Sequence, residues 1–538
     1  MLRLGYFFLY FFIFGSAIIE FPVLSFYALS SLYRMLLAYL ISLAFSISYG
    51  YLAATNKKAE KVMLPVLDVL QSVPVLGFFP AAVLFFISLF QGSIIGVELA
   101  AIFLIFTGQA WNMAFGVYES ITTIPKDLNS AVDSFGVTGI RKFAKLIFPA
   151  CIPKLVYNSI MSWAGGWYFL IACEIITTGS DSYKLPGIGS FLMESSIKGD
   201  LNALLIGLAI LIFIIVVLDL FVWRPLSIWS ENFKYEYTGV SERKTSASPL
   251  LSMISRISYY WLQILEAIGS LSTQISRAIS KHKGVLRVVR IVVYFLFLAI
   301  VVGAIGYAAL KLLPVFTEPF PSDAYLIPQA ILFSMARLLV AYLLCLSWTL
   351  PIAVFIAKHE RALKYLTPVI EIAASIPAVA LFPLIVLLLI RFTGTMDIPA
   401  IILILTGMQW YLLFNLIAGV KSIPADIEEA ACSFGVKKWL YWKRILLPGI
   451  YPSFITGSIT AWGGGWNALI VSEFIVFGGQ TYYAFGIGYL LSKSTFIDPN
   501  PRMIIISVIG MIITIFLVNK FIWRSLYKKA EMKYKIEM

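Results

Sequence analysis

Charge is scarce in this sequence. Asp, Glu, Lys and Arg make up 13% of its 538 residues, where a soluble chain carries roughly a quarter, so a water-exposed globular fold is a poor fit. Histidine is nearly absent: His282 and His359 both fall in basic stretches, the usual place of solvated loop residues, and histidine-based metal chemistry has no support. Cysteine is limited to Cys151, Cys173, Cys345 and Cys432 with no C-x-x-C pair, which argues against disulfide and zinc frameworks. No G-x-x-x-x-G-K-[ST] run occurs, so the phosphate-cradling loop of a P-loop ATPase is missing.

Apolar residues take up the space: 60% of the chain is hydrophobic. Runs such as Val292–Leu310, Ile372–Ile390 and Pro399–Leu416 reach the roughly 17–25 residues needed to cross hydrocarbon. The net charge of +13 fits Lys and Arg gathered in cytoplasmic loops, not a nucleic-acid surface. The opening MLRLGYFFLYFFIFGSAII has the outline of a signal peptide. A matching helix in the second half of the chain favours a first membrane span instead.

The chain repeats itself. Trp111 and Trp410, Pro149 and Pro448, Trp163 and Trp462, Glu174 and Glu473, and Gly189 and Gly488 all stand 299 residues apart. Further upstream Arg34 and Arg337, Pro65 and Pro368, Pro74 and Pro377, and Pro80 and Pro383 stand 303 apart, which places a four-residue deletion in one loop of the second copy. Each copy reads as six spans, near 4–20, 26–53, 63–92, 96–118, 151–178 and 202–222, then 290–310, 328–357, 363–391, 398–420, 450–478 and 503–522. The expected fold is all-α, a polytopic membrane protein of about 12 transmembrane helices. Its expected units are 1–225 and 289–538, joined by a linker, 226–288.

Basic residues place both termini and the loops around Lys57, Arg141, Arg361 and Lys437 on the cytoplasmic side. The copies then share one topology and are parallel repeats. In the linker a Ser-rich stretch, Thr238–Pro249, precedes Ile254, Ile257, Trp261, Ile264, Ile268, Leu271, Ile275 and Ile279, the spacing of an amphipathic helix. Two roles stand open for that helix: resting on the membrane surface or docking another protein.

Between the fourth and fifth spans each copy carries a polar elbow, TIPKDLNSAVDSFGVTGIRKFAKLIFPACIP and SIPADIEEAACSFGVKKWLYWKRILLPGIYP. Pro424 followed by Asp426, Glu428 and Glu429 suits a helix N-terminus, and Gly435 ends that helix before a second begins. A solvated loop is the plain reading. Repetition at a fixed register makes a docking surface the better one.

Glu429-Ala430-Ala431, three residues, Gly435, then Leu447-Pro448 resembles the EAA loop of permease subunits in ATP-binding-cassette (ABC) importers. Ser375-Ile376-Pro377 followed by Pro383, the arginine of the second span, the Trp/Glu segment of the fifth and Gly486-Ile487-Gly488 resemble the nitrate, taurine and sulfonate branch. The resemblance covers nearly all of both copies and implies two tandem six-helix permease domains fused into one chain. It implies two separate ATPase subunits, an extracytoplasmic substrate-binding protein, a plasma-membrane location and no cofactor. The coupling residues it assigns are Ser130, Ala131, Asp133 and Gly136 in the first elbow and Glu429, Ala430, Ala431 and Gly435 in the second. Ser130 stands where the pattern has glutamate, so unequal grips on the two ATPases are expected. Gln71 and Ala374 precede the Ser-x-Pro segments where the branch usually has an arginine, which bears on solute identity.

Several residues are candidates for the pathway. Glu174 and Glu473 lie among aliphatics, where an ionisable group must be paired or wetted. Counting about 1.5 Å per residue from the cytoplasmic ends brings Arg34 within reach of Glu174 and Arg337 within reach of Glu473. Pairing and separate solvation both remain open, and exchange of the two charges should restore transport if they pair. Pro74, Pro80, Pro377 and Pro383 interrupt the third spans, either lining a route between the copies or kinking helices. Trp163, Trp167, Trp462 and Trp466 fill a core or line a cavity, and the adjacent glycine doublets allow close helix approach. The rival functions are an ion-gradient-driven secondary transporter or channel and an integral membrane enzyme.

Overall fold

A computed structural model describes residues 17–233 and 319–534, except 73, 138, 179 and 180, together with 303, 306 and 317 singly. The first span of each copy, apart from 17–20, and the linker beyond 233 lie almost wholly outside the described residues. The fold is an all-α membrane fold in two similar halves.

In the first half the helices are α1 (Ala17–Thr55), α2 (Lys57–Ser72), α3 (Val75–Leu89), α4 (Ile94–Thr122), α5 (Lys126–Ser134), α6 (Phe148–Cys173), α7 (Ile188–Lys198) and α8 (Leu201–Leu218), with strands β1 (Ile175–Thr178) and β2 (Asp181–Lys184) between α6 and α7. The second half repeats them as α9 (Ile327–Lys358), α10 (Glu360–Ser375), α11 (Ala378–Thr393), α12 (Asp397–Lys421), α13 (Ala425–Ser433), α14 (Leu447–Ser472), β3 (Phe474–Phe477), β4 (Gln480–Tyr483), α15 (Ile487–Ser492) and α16 (Pro501–Val518). Six helices among the described residues are long and apolar enough to cross a membrane, and the bent pair α10–α11 makes a seventh.

Three expected boundaries differ. Helix α1 runs unbroken through 21–25, where a loop between the first two spans was expected; a proline such as Pro22 forfeits one hydrogen bond in a membrane helix without having to end it. The third span is two helices, not one. The chain breaks before Pro74 and Pro377, which cap α3 and α11 in extended conformation, and α10 and α11 meet at 85°. Pro80 and Pro383, by contrast, sit inside helices. The fifth spans, expected to reach 178 and 478, end as helices at Cys173 and Ser472 and turn into antiparallel hairpins pairing Ile175 with Lys184 and Phe474 with Tyr483. Short apolar runs rich in Ile, Val, Thr and Phe satisfy strand and helix alike, and periodicity does not separate them.

Within each half the second, fourth and fifth spans pack together as α1, α4 and α6, and as α9, α12 and α14. The halves interlock through their broken third spans. Val75, Phe79 and Val83 of α3 share a core with Ile470, Met503 and Met511 of the second half, and Ala380 of α11 is buried among Trp167, Leu208 and Leu211 of the first. Gly77 permits the contact: a Cβ there would lie 2.2 Å from Met511 Cε. Five-residue π turns at Phe143–Ile147, Asp219–Trp223, Trp442–Leu446 and Asn519–Trp523 recur at equivalent places. Such π turns interrupt regular helices and frequently mark functional sites.

Candidate functional site

Two sites emerge, one at each end of the bundle. At the end carrying the hairpins, α1 points Arg34 across to the C-terminus of α6. Arg34 is 2% exposed and Glu174 fully buried, with Arg34 Nη1 2.9 Å from Glu174 Oε1. Nη1 also donates to the Pro186 carbonyl at 2.8 Å. The other edge of the guanidinium grips Glu98, Nε to Oε2 at 2.6 Å and Nη2 to Oε1 at 2.7 Å. This is the forked geometry that gives arginine its strongest carboxylate contacts.

Glu174 is satisfied further by the Ser31 hydroxyl at 2.6 Å and the Gly189 amide at 2.6 Å. Ser31 Oγ in turn accepts from the Ile188 amide at 2.9 Å. Glu174 therefore stands at the end of α6 and at the start of α7 at once. Gly187 leaves room for it, since a Cβ there would fall 2.2 Å from the Glu174 carboxylate.

The second half builds the same network. Arg337 Nη1 lies 2.8 Å from Glu473 Oε1, and its Nε and Nη2 reach Asp397 Oδ1 at 3.0 and 2.7 Å. Nη2 also donates to the Phe485 carbonyl at 2.9 Å. Glu473, fully buried, accepts from the Ser334 hydroxyl at 2.7 Å and the Gly488 amide at 2.8 Å. Buried charges survive only when paired and hydrogen-bonded to saturation, and these are. The structure thus brings each predicted arginine to its predicted glutamate.

Sequence reasoning missed the third partners, Glu98 and Asp397, and the serines Ser31 and Ser334. The repeat held the signal: the two acidic residues stand 299 apart and the serines 303 apart, each serine three residues before its arginine and so on the same helix face.

The four tryptophans are buried, Trp167 and Trp466 in cores that both halves share. Trp163 and Trp462 are each 8% exposed, Trp167 1% and Trp466 2%. Trp163 lies 5.5 Å from both the Tyr39 and Trp223 rings, and Trp462 lies 5.7 Å from Trp523. Burial of this degree is core packing. Only part of each glycine run is crowded: a Cβ at Gly166 or Gly465 would clash with Met35 and Met408 respectively, whereas Gly165 and Gly463 have nothing within 4 Å.

At the opposite end the elbows are helix–turn–helix units. Pro125 and Pro424 precede α5 and α13. Gly136 and Gly435 end them at φ of +70° and +64°, left-handed values that favour glycine. The Val137 amide reaches back to the Val132 carbonyl at 3.2 Å, and Val436 to Ala431 at 2.9 Å, the bonding of a glycine-terminated helix end. Ser130, Ala131, Asp133, Glu429 and Ala430 are exposed, while Ala431 is buried.

The elbows are braced differently. In the first, Lys142 Nζ binds Asp133 Oδ1 at 2.7 Å. In the second, the Tyr441 hydroxyl donates to Glu428 at 2.7 Å, with Lys358 3.9 Å over the Tyr441 ring. Burial, and then the bond to Glu428, pushes the Tyr441 phenol up. Beside the glycines, Phe135 and Phe434 are 86% and 85% exposed. Sequence reasoning passed over these rings, although they too stand 299 apart.

The family of binding-protein-dependent transport system inner membrane components matches residues 46–223 and again 349–527. The chain belongs to that family. Similar proteins include the nitrate import permease NrtB of Leptolyngbya laminosa, 25% identical over 32% of this chain and 56% of that protein. The bicarbonate transport system permease CmpB of Synechococcus elongatus is 25% identical over 31% and 55%. The taurine transport system permease TauC of Escherichia coli is 26% identical over 27% and 52%. The chain thus spans little more than half the length of these relatives. Two matches within one chain make it a duplicated transport permease, a multi-pass membrane component.

Proposed function

We propose that this permease forms the translocation pathway of an ATP-driven importer for a small anion of the nitrate, bicarbonate, taurine or sulfonate kind, with its elbows docked on separate ATPase subunits. The observation that carries the reading is the pair of elbows. Both are braced helix–glycine–helix units at the basic end, and each lifts a bare phenylalanine off the surface. The domains at 1–225 and 289–538 each supply one elbow and one half of the pathway, the basic end faces the cytoplasm with both termini, and a binding protein delivers solute to the other end. ATP-driven closure of the motor pulls the elbows together, and α6 and α14, continuous with them, carry the movement to the hairpin end. There the Arg34–Glu98–Glu174 and Arg337–Asp397–Glu473 networks tie three spans of each half into a unit that moves as one piece. The unlike braces, Lys142–Asp133 and Tyr441–Glu428, support unequal grips on the two motors.

Co-purification tests the reading. The permease should capture its ATPase subunits and lose them when Phe135→Ala and Phe434→Ala are combined. ATPase binding should also shield Cys432, which is exposed on α13, from a maleimide. Uptake of nitrate into vesicles holding only this chain, without nucleotide, would overturn the proposal in favour of a secondary transporter.

A further inference from the structure

At the hairpin end two hydrogen bonds cross between the halves, one of them backbone to backbone. The Gly478 amide, at the tip of the β3–β4 hairpin, donates to the Ser196 carbonyl near the end of α7 at 2.9 Å. Ser196 Oγ donates in return to the Val476 carbonyl at 3.1 Å. Gly199, which ends α7 at φ +71°, and Gly478, at φ +58°, face each other so closely that a Cβ on Gly199 would lie 3.2 Å from Gly478 Cα. A Cβ on Gly478 would meet only ordinary contact, 4.0 Å from Gly199 Cα, so it is the left-handed backbone at both positions that favours glycine.

Each partner is anchored to its own half. Helix α7 begins on the buried carboxylate of Glu174 and on Ser31. The β3–β4 hairpin begins beside Glu473, whose carbonyl accepts from the Ala484 amide at 3.0 Å. Neither element can follow the other half if the halves part.

In the first half β1 likewise packs against the Lys493–Ile497 turn of the second, but Gly179, which stands at the register of Gly478, lies outside the described residues. At the registers of Ser196 and Gly199 the second half carries Thr495 and Asp498. Thr495 lies in a π turn, Lys493–Ile497, with its hydroxyl turned to its own Leu491 carbonyl at 2.7 Å. Asp498 holds φ −129°, not the left-handed conformation of Gly199.

From this geometry we infer that the β3–β4 hairpin and α7 form a latch that closes the outer mouth of the pathway and opens when the halves separate. The inference rests on the proposed orientation and ATP coupling. Two hydrogen bonds between groups that water can satisfy equally well suit a contact made and broken in every cycle. Closure by backbone and one serine hydroxyl also leaves the mouth free of bulky side chains once open.

The test uses the complete complex of permease, ATPase subunits and binding protein. A Gly199→Cys/Gly478→Cys double variant places its cysteines close enough for a disulfide, whose formation is followed by peptide mass spectrometry against each single variant. Cross-linking should be fast without nucleotide and slow about tenfold when ATP is trapped on the motor, the ratio expected if the closed state falls to roughly a tenth. Hydrogen exchange at the Gly478 amide of the unsubstituted complex gives the same reading without strained substitutions, and should quicken about tenfold with trapped ATP. Equal rates in both states, in a complex that binds ATPase and hydrolyses ATP, overturn the latch alone. A chain that captures no ATPase overturns the coupling reading and the latch with it.

Discussion

Exchange of Arg337 and Glu473 should not rescue either single variant. A simple ion pair would tolerate the swap, but Glu473 is more than a counter-ion. One oxygen accepts from Arg337 and Ser334 and the other from the Gly488 amide, and the site is closed to solvent. Glu473→Gln turns one acceptor into a donor facing a donor, so one charge-assisted bond is lost and Arg337 keeps Asp397 and the Phe485 carbonyl. Removing one member of a buried pair costs about 3–5 kcal/mol. In the exchanged protein an arginine at 473 offers nothing to the Gly488 N–H, an unsatisfied buried group worth about 1–3 kcal/mol. A carboxylate at 337 would also face Asp397, like charge against like. The exchange is therefore at least as damaging as Glu473→Gln. Thermal unfolding of detergent-solubilised permease should rank wild type first, Glu473→Gln second and the exchange last, with transport following the same order. An exchanged protein as stable and active as wild type would show that the Gly488 and Asp397 bonds contribute nothing.

Other outcomes follow from local geometry. Gly486→Ala puts a methyl 2.2 Å from the Glu473 carboxylate and should destabilise by about 1–3 kcal/mol, read as a lower unfolding temperature. Lys438 holds φ +50°, whereas its counterpart Gly139 holds +60°; Lys438→Gly should stabilise the second elbow by about 1 kcal/mol, visible as slower amide exchange there. Glu194, bound to Lys184 and Lys198, has its carboxyl held below the ordinary value of 4.5. Its contribution is complete above that value and lost as pH falls through the depressed one, so wild type and Glu194→Gln should differ in stability at neutral pH and converge in acid. The difference is small because the pair is exposed and screened, and it should shrink further in high salt.

Much of this protein was legible in its residues. A constant offset exposed the duplication, long apolar runs marked the spans, and proline, acid and glycine at fixed places drew both elbows. Helix rise placed Arg34 within reach of Glu174 and Arg337 within reach of Glu473, because depth in a membrane helix is nearly a linear function of residue number, but left pairing and separate solvation open. What is set along one helix or by one local turn is written in spacing.

What is set between helices is not. Glu98 and Asp397 looked like ordinary helix starts until α4 and α12 were seen beside α1 and α9, and only then did each arginine acquire a second carboxylate. The residues after Glu174 and Glu473 passed for the ends of helices, since a four-residue apolar run carries no period long enough to exclude a strand. The helix broke at Pro74 and Pro377 and ran on through Pro80 and Pro383, a choice between prolines that the residues alone do not make. The meeting of the β3–β4 hairpin with Ser196 joins residues some 280 positions apart, and one of its two bonds runs between backbone atoms, which carry no signal in the sequence. Side-chain chemistry and local spacing therefore determined the class, the repeat and the elbows, and packing in three dimensions decided the networks, the hairpins and the way the halves meet.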